Sequence, residues 1–151
     1  MRRFLSCLAL ASALLGTRRA HAVSCVFNSV TPVAFGTYDV FSVTPTDAVG
    51  SFTYQCSLLL ALDVITINLS TGSSGTYSAR TLQNGANTLS YNLYMDAART
   101  VVWGDQSNGT SNYTAILSLL AVTLPIYGRI PARQNAKAGS YNETVVVTLL
   151  F

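Results

Sequence analysis

Apolar and polar residues alternate along much of the chain, with the two-residue period of β-strands. In the segment Ser51-Phe52-Thr53-Tyr54-Gln55-Cys56 the even positions are apolar, so Cys56 is predicted to face inward. Residues 63–70, 88–95 and 144–151 repeat the pattern, which half-buried antiparallel strands produce. The other side chains predicted to face the core are Phe52, Tyr54, Ile65, Ile67, Leu69, Leu89, Tyr91, Leu93, Met95, Val145, Val147, Leu149 and Phe151.

Residues that tolerate a positive φ separate these runs, at Gly72-Ser73-Ser74-Gly75, Asn84-Gly85 and Asn108-Gly109. About seven short strands at this spacing predict an all-β fold, an antiparallel β-sandwich. Between two of the strands we expect residues 96–99 to form one helical turn, in which Asp96 and Arg99 make an i,i+3 ion pair.

The start of the chain resembles a secretory signal, and this changes how the rest is interpreted. Arg2 and Arg3 precede an apolar stretch, and Ala20-His21-Ala22 is a small-residue cleavage site. We therefore expect residues 1–22 to be a signal peptide and residues 23–151 to be one exported domain.

The leader carries four of the nine basic residues and no acidic ones, which leaves five basic against six acidic residues after cleavage. A net charge of −1 gives no support to nucleic-acid binding through a basic patch. No stretch after the leader approaches the ~20 apolar residues that a membrane-spanning helix needs.

Cleavage leaves two cysteines, Cys25 and Cys56, in a chain that is expected to reach an oxidising compartment. We predict a disulfide, which stabilises by about 3 to 4 kcal/mol through its restriction of the unfolded chain. The alternatives are two free thiols or half of a metal site.

After the leader, few residues are candidates for catalysis or for cofactor binding. The one histidine, His21, lies inside the leader, so histidine-based triads and the usual histidine metal sites are not expected. No two of the six carboxylates have a sequence spacing that indicates a catalytic pair, and no glycine-rich phosphate loop precedes a helix. We expect neither an enzyme nor a cofactor.

Three motifs resemble the signature of the spore coat protein U domain family, secreted bacterial β-domains that include subunits of archaic chaperone-usher pili. The first runs from Tyr91-Asn92-Leu93-Tyr94-Met95-Asp96 to Arg99-Thr100, the second is Trp103-Gly104-Asp105, and the third is Tyr127-Gly128-Arg129-Ile130-Pro131. Further positions in family order are Phe35-Gly36-Thr37-Tyr38-Asp39, Gly72-Ser73-Ser74-Gly75, Arg80 and Gly139-Ser140-Tyr141. The resemblance covers essentially everything after the leader.

The resemblance implies an immunoglobulin-like sandwich that lacks one strand, with a periplasmic chaperone and then the next subunit filling the gap. It implies passage through an outer-membrane usher to a pilus or a spore or cell coat. Residues 141–151 are expected to be the accepting strand. Only Val23 and Ser24 precede Cys25 after cleavage, which is too short for a donor arm and fits a chain-ending subunit or a coat protein. The alternative is a self-contained secreted module, with a complete sandwich, that binds carbohydrate or a surface.

The signature residues admit two interpretations. In a binding surface, Tyr91, Tyr94, Trp103 and Tyr127 stack on a ligand while Arg99, Asp105 and Arg129 make polar contacts. In a structural role, which we favour, Trp103 covers one end of the sandwich and Arg129 pairs with Asp105.

Departures from the family pattern are also informative. After Cys56 the chain runs Leu58-Leu59-Leu60-Ala61-Leu62, which is either core or an exposed adhesive loop; of the two we favour core. Val40 stands where the family often has proline, and Gln106 and Arg133 stand in place of glycines.

Overall fold

The computed structural model describes residues 23–57 and 63–151. The predicted signal peptide and the leucine-rich run at residues 58–62 lie outside the described residues. In the described part, eight strands follow one another in sequence, with a 3-10 turn at Gly72–Ser74 after the third. The strands are β1 (Ser24–Thr31), β2 (Thr46–Ser57), β3 (Val64–Leu69), β4 (Arg80–Asn84), β5 (Asn87–Tyr94), β6 (Tyr113–Ile116), β7 (Val122–Ile130) and β8 (Val147–Leu150).

The strands form two antiparallel sheets, which confirms the predicted all-β sandwich. The larger sheet has the order β1-β2-β7-β5-β4, and the smaller has the order β6-β3-β8. No helix among the described residues is long and apolar enough to span a membrane.

The core lies between the sheets and includes most of the side chains that the alternation predicted to face inward. Phe52, Tyr54 and Cys56 of β2 are buried, as are Ile65, Ile67 and Leu69 of β3. Leu89, Tyr91 and Leu93 of β5 complete the pattern, while Met95 lies one residue past the strand and is only partly buried.

The predicted disulfide is confirmed. Cys25 and Cys56 are direct partners in the β1–β2 ladder and are joined by an S–S bond of 2.05 Å. Cys56 is buried, as the alternation predicts, and the β1–β2 register places it opposite Cys25.

The end of the chain differs from its prediction. Strand β8 covers only Val147–Leu150, and its inward-facing side chains are half-buried rather than buried. The prediction that Phe151 faces the core is wrong, because 56% of this residue is exposed. Phe151 follows the last residue of the β3–β8 ladder, so pairing with β3 does not hold it over the core.

Candidate functional site: an open groove between the sheets

The smaller layer of the sandwich is extended by a segment that belongs to no strand. Residues 32–38 follow β1 and cross the inner face of the larger sheet over two glycines. A Cβ atom on Gly50 would lie 2.8 Å from Val33, and one on Gly128 would lie 2.7 Å from the ring of Phe35. Because no side chain fits at these two positions, Val33 and Phe35 can pack directly on the sheet.

A groove of about 280 Å³ separates this segment from β8. One wall is formed by Val30, Val33 and Phe35, and the other by Val145 and Val147. The lining also includes inward-facing core residues, namely Leu69, Leu82, Tyr91, Leu93 and Ile126. Considering residues 23–57 and 63–151, the smaller layer therefore leaves an apolar gap between β8 and residues 32–38.

The groove widens at its other end to a region of about 1070 Å³. Residues 32–41 line one side of this wide end, and residues 136–143 line the other. Glu143 contributes to both parts of the groove; its carboxylate accepts hydrogen bonds from the backbone N–H (2.6 Å) and the hydroxyl (3.1 Å) of Ser73.

Along residues 145–149, the side that faces the groove pairs with no other strand in the part of the chain that the structure describes. The ladder to β3 pairs Thr148 with Asn68, and just before it the N–H of Ser70 donates to Val146 O at 2.9 Å. Antiparallel pairing uses alternate residues on each side of a strand. The N–H and C=O groups of Val145, Val147 and Leu149 therefore point away from β3.

The wall opposite β8 is held in place by the phenol of Tyr38. This hydroxyl donates to Pro131 O at 2.9 Å and accepts from the N–H of Gln134 at 2.8 Å. The side-chain amide of Gln134 in turn bonds both the N–H and the C=O of Ser90, at 2.8 and 2.7 Å, continuing the edge of β5 beyond the end of β7. The sequence marked Tyr38 as a signature residue without indicating this function.

Three signature residues form a buried polar network beside the groove. Arg80 is fully buried, and its Nε donates to Ser70 O at 2.9 Å. Its two terminal nitrogens donate to Asn92 Oδ1 at 2.6 Å and to Trp103 O at 2.7 Å. The indole N–H of Trp103 donates to Ile67 O at 3.0 Å, which ties the network to the smaller sheet.

Burial shifts the pKa values of Arg80, in this network, and of the nearby Tyr91. Desolvation lowers the pKa of Arg80 from its ordinary value and raises that of Tyr91, since it disfavours the charged form of each group. An arginine stays protonated at any physiological pH, so a cation is held here by three oxygen acceptors and by the ring of Tyr77, 5.1 Å away.

The predicted pair between Arg129 and Asp105 is wrong. Arg129 makes two 2.8 Å hydrogen bonds to Asp47, its direct partner in the β2–β7 ladder. Asp105 instead accepts from the N–H (3.0 Å) and the hydroxyl (2.6 Å) of Ser107 within its own turn, and these bonds lower its pKa. The β2–β7 register, which the sequence does not reveal, determines that Arg129 pairs with Asp47.

The predicted helical turn at residues 96–99 is a hydrogen-bonded turn without the expected ion pair. Asp96 accepts from the backbone N–H groups of Thr100 (3.0 Å) and Val101 (2.8 Å). Arg99 has a φ of 59°, and its guanidinium lies 3.2 Å from Asp47 and donates to Gly128 O at 3.0 Å. The left-handed conformation ends the turn before a helix can form.

The structure does not bring the signature aromatics together as one binding surface. Trp103 and Tyr91 are buried in the core, so neither ring lies on an outer surface of the sandwich. Tyr94 and Tyr127 are partners in the β5–β7 ladder and are half-buried, with the guanidinium of Arg99 5.8 Å from the Tyr127 ring. Most of the signature residues therefore stabilise turns or pack in the core.

Comparisons with known proteins give three findings. The Spore Coat Protein U domain model matches residues 11–148. Protein U of Myxococcus xanthus is 40% identical over 129 residues, which cover 78% of this chain and 70% of that protein. Among solved structures, the complex of the chaperone CsuC with the tip adhesion subunit CsuE, from the archaic chaperone-usher Csu pili of Acinetobacter baumannii, matches with a TM-score of 0.59 at 17% identity.

The structural match covers 86% of this chain but only 40% of the chain it matches. At this identity it shows a shared fold.

Proposed function

Because the chain belongs to the Spore Coat Protein U domain family, we propose that it is a structural subunit of a bacterial surface assembly, a chaperone-usher pilus or a coat. In this proposal it accepts a β-strand from a partner in the groove between β8 and residues 32–38. The observation that carries the proposal is the apolar groove beside the edge of β8 that no other described strand pairs with. Family membership also agrees with the expectation that the protein is not an enzyme.

The groove has the chemistry of a strand site. An added strand can pair with the free N–H and C=O groups of Val145, Val147 and Leu149 while its alternate side chains point down between the walls. Those side chains should be apolar, since Tyr91, Leu93 and Ile126 contribute to the groove lining. A strand advances about 3.3 Å per residue, so a donor segment of about ten residues would extend over roughly 33 Å.

The partners proposed for this site are a periplasmic chaperone first and a neighbouring subunit afterwards, with an outer-membrane usher as the route of assembly. The similar CsuE subunit was solved in a pre-assembly complex with its chaperone. We propose that residues 1–22 act as the export signal of this chain, which then passes through the periplasm to the cell surface.

Substitutions on the two faces of β8 test the proposal. Val147→Asp places a carboxylate in the groove wall, whereas Val146→Asp places one on the opposite, exposed face of the same segment. The probe is a peptide of about ten residues that alternates valine and threonine. Calorimetry should show that Val147→Asp weakens binding by tenfold or more and that Val146→Asp does not.

Equal binding by both variants would contradict a strand site in this groove. If the wild-type protein unfolds cooperatively alone and gains no thermal stability from the peptide or from a chaperone, the self-contained binding module becomes the better description. A periplasmic chaperone gene and an usher gene beside this gene would support the assembly.

A second candidate function is attachment to hydrophobic surfaces. Val64, Ile116, Leu119 and Leu120 are all exposed, and Val64 directly follows the segment 58–62 and Asp63. Val64 and Ile116 are partners on neighbouring strands, so part of this apolar surface is continuous. We propose that Leu58, Leu59, Leu60 and Leu62 belong to the same adhesive surface.

The double variant Leu59→Ser with Leu60→Ser should reduce attachment to polystyrene beads while secretion and thermal unfolding stay unchanged. Failure of this variant to fold would instead assign the leucines to the core. The matched variant Leu119→Ser with Leu120→Ser tests the described part of the surface independently.

A further inference from the structure

Glu143 places a carboxylate in a groove wall that is otherwise largely apolar. The side chains at positions 143, 145 and 147 lie on one face of the segment, because they alternate with exposed residues at 144, 146 and 148. Val145 and Val147 line the narrow part of the groove, while Glu143 lines both the narrow part and the wide end. One row of inward-facing positions therefore consists of an acidic residue followed by two valines.

The edge that an added strand can pair with extends back to Glu143. The N–H and C=O groups of Val145 point away from β3, and alternate residues of an extended segment share the same side. Asn142, on the other side, uses both of its backbone groups to bond Gln83 of β4, at 2.8 and 3.1 Å. An added strand that pairs as far as Glu143 therefore places one inward side chain beside it, with about 5 Å between the Cβ atoms.

The carboxylate of Glu143 is only partly satisfied within its own chain. The two hydrogen bonds from Ser73 occupy about half of the roughly four positions at which a carboxylate accepts. Within residues 23–57 and 63–151, no lysine or arginine forms a salt bridge with Glu143. The buried guanidinium of Arg80 donates to three other oxygen atoms. Solvent can satisfy the remaining positions while the groove is open, whereas a strand lying over the groove excludes that solvent.

The charge of Glu143 acts on the interior of the groove. Desolvation, followed by the charge of Glu143, raises the pKa of the Tyr91 hydroxyl, and the charge of Arg80 opposes this effect. Tyr91 itself lines the narrow part of the groove. Covering a carboxylate is strongly unfavourable unless the covering partner supplies a group that pairs with it. A strand with only apolar inward side chains would leave this charge without such a partner.

We propose that Glu143 selects the strand that enters the groove, by pairing with a lysine or arginine at the inward position beside it. This inference rests on the proposed function and adds charge complementarity to an otherwise apolar fit. Opposite charges side by side on neighbouring strands stabilise the pairing, and like charges oppose it. The inward residues two and four positions away, beside Val145 and Val147, should be apolar.

A scan of the valine–threonine peptide tests the pairing on the wild-type protein. Each valine is replaced in turn by lysine, by glutamine or by glutamate, and binding is measured by calorimetry. At one position the lysine peptide should bind about threefold or more tightly than the glutamine peptide, and about tenfold or more tightly than the glutamate peptide. Two and four residues away on one side, lysine should weaken binding by about tenfold or more, because it would lie beside Val145 and Val147.

Two variants identify which carboxylate is responsible. Glu143→Gln removes the charge but keeps an oxygen that can accept from Ser73, and it should reduce the preference for lysine over glutamine to less than about twofold. Asp39→Asn is the matched control, because it removes an exposed carboxylate from the opposite side of the wide end. It also keeps an acceptor for the N–H of Phe41 and should leave the preference unchanged. Thermal unfolding verifies that both variants are folded.

The outcomes separate this inference from the proposed function. If the valine–threonine peptide binds but no position prefers lysine over glutamine, the inference is overturned and the strand site stands. A preference that persists in Glu143→Gln, or that is lost equally in Asp39→Asn, would also overturn it. If the wild-type protein binds none of the peptides, the proposed function fails and this inference fails with it. The scan needs only the wild-type protein, so it decides the matter even where Glu143→Gln does not fold.

Discussion

At the scale of single residues, the buried guanidinium of Arg80 shows how a signature position acts through geometry. One planar group supplies donors to a loop carbonyl at Ser70, a side-chain oxygen of Asn92 and a carbonyl at Trp103. A lysine has the same charge but presents its donors from a single atom, so it cannot reproduce this fork.

Arg80→Lys should therefore leave buried acceptors without donors and lower the free energy of unfolding by about 1 to 3 kcal/mol. The matched control is Arg133→Lys, an exposed arginine whose replacement should change stability by less than about 0.5 kcal/mol. Urea unfolding followed by Trp103 fluorescence measures both. Equal stability of the two variants would show that the charge, and not the fork, matters.

Two departures from the family pattern coincide with a backbone conformation that glycine prefers. Gln106 and Arg133, which stand in place of family glycines, have φ values of 72° and 60°. A non-glycine residue in this region costs roughly 1 kcal/mol, partly offset by the entropy that glycine adds to the unfolded chain.

Arg133→Gly should accordingly raise the free energy of unfolding, by up to about 1 kcal/mol. Ala132→Gly is the matched control, because the neighbouring residue does not have a positive φ. It should lower stability by about 0.5 to 1 kcal/mol. Denaturant unfolding of the two variants distinguishes relief of backbone strain from a general effect of glycine in this loop.

The carboxylate of Asp47 lies between two arginines, and this makes one contribution to stability dependent on pH. The hydrogen bonds from Arg129, followed by the charges of Arg129 and Arg99, hold the pKa of Asp47 below its ordinary value of 3.8. A carboxylate whose pKa is lower in the folded state than in the unfolded state stabilises the fold at pH values above its unfolded-state pKa. This stabilisation is lost as the pH falls through the folded-state pKa.

Asp47→Asn should reduce stability at pH 7 by less than about 1 kcal/mol, since the cluster is partly exposed and screened. Thermal unfolding from pH 7 to pH 2 should show the two proteins converging once the pH falls below 3.8. A difference that stays constant over this range would mean that the carboxylate contributes through packing and not through its charge.

At the scale of elements, the sequence predicts the buried faces of strands well, because the alternation of apolar and polar residues encodes which side chains face the core. The inward sets of β2, β3 and β5 are all in the core, and Cys56 is placed opposite Cys25. The partner of Arg129 could not be predicted, because Asp47 is more than eighty residues away and meets it only through the β2–β7 register. The groove could not be located either, since residues 32–38 lack the periodicity of a strand.

The disulfide closes β1 onto β2, and β1 leads directly into the wall of the groove. Cys56→Ser should lower the free energy of unfolding by about 2 to 5 kcal/mol, through the greater freedom of the unfolded chain. Mass spectrometry of the oxidised protein should recover the linked peptides, and thermal unfolding with and without reductant measures the effect. Free thiols at both positions in the secreted protein would contradict the pairing.

At the scale of the whole molecule, a sandwich with an open groove leaves half-buried apolar side chains on β8 and on residues 32–38. Burial of apolar surface stabilises by roughly 25 cal/mol per Å², so a strand that fills the groove should stabilise the entire domain. The effect reaches the global unfolding transition because both walls and the larger sheet contribute to the same core.

Amide exchange should reveal the open edge directly. In the free protein the N–H groups of Val145, Val147 and Leu149 should exchange quickly, whereas that of Thr148, which faces β3, should be protected. Addition of the valine–threonine peptide should slow exchange at the first three positions by about tenfold or more and raise the midpoint of thermal unfolding. If all four amides are already equally protected without a partner, the edge of β8 is not open and the sandwich is complete on its own.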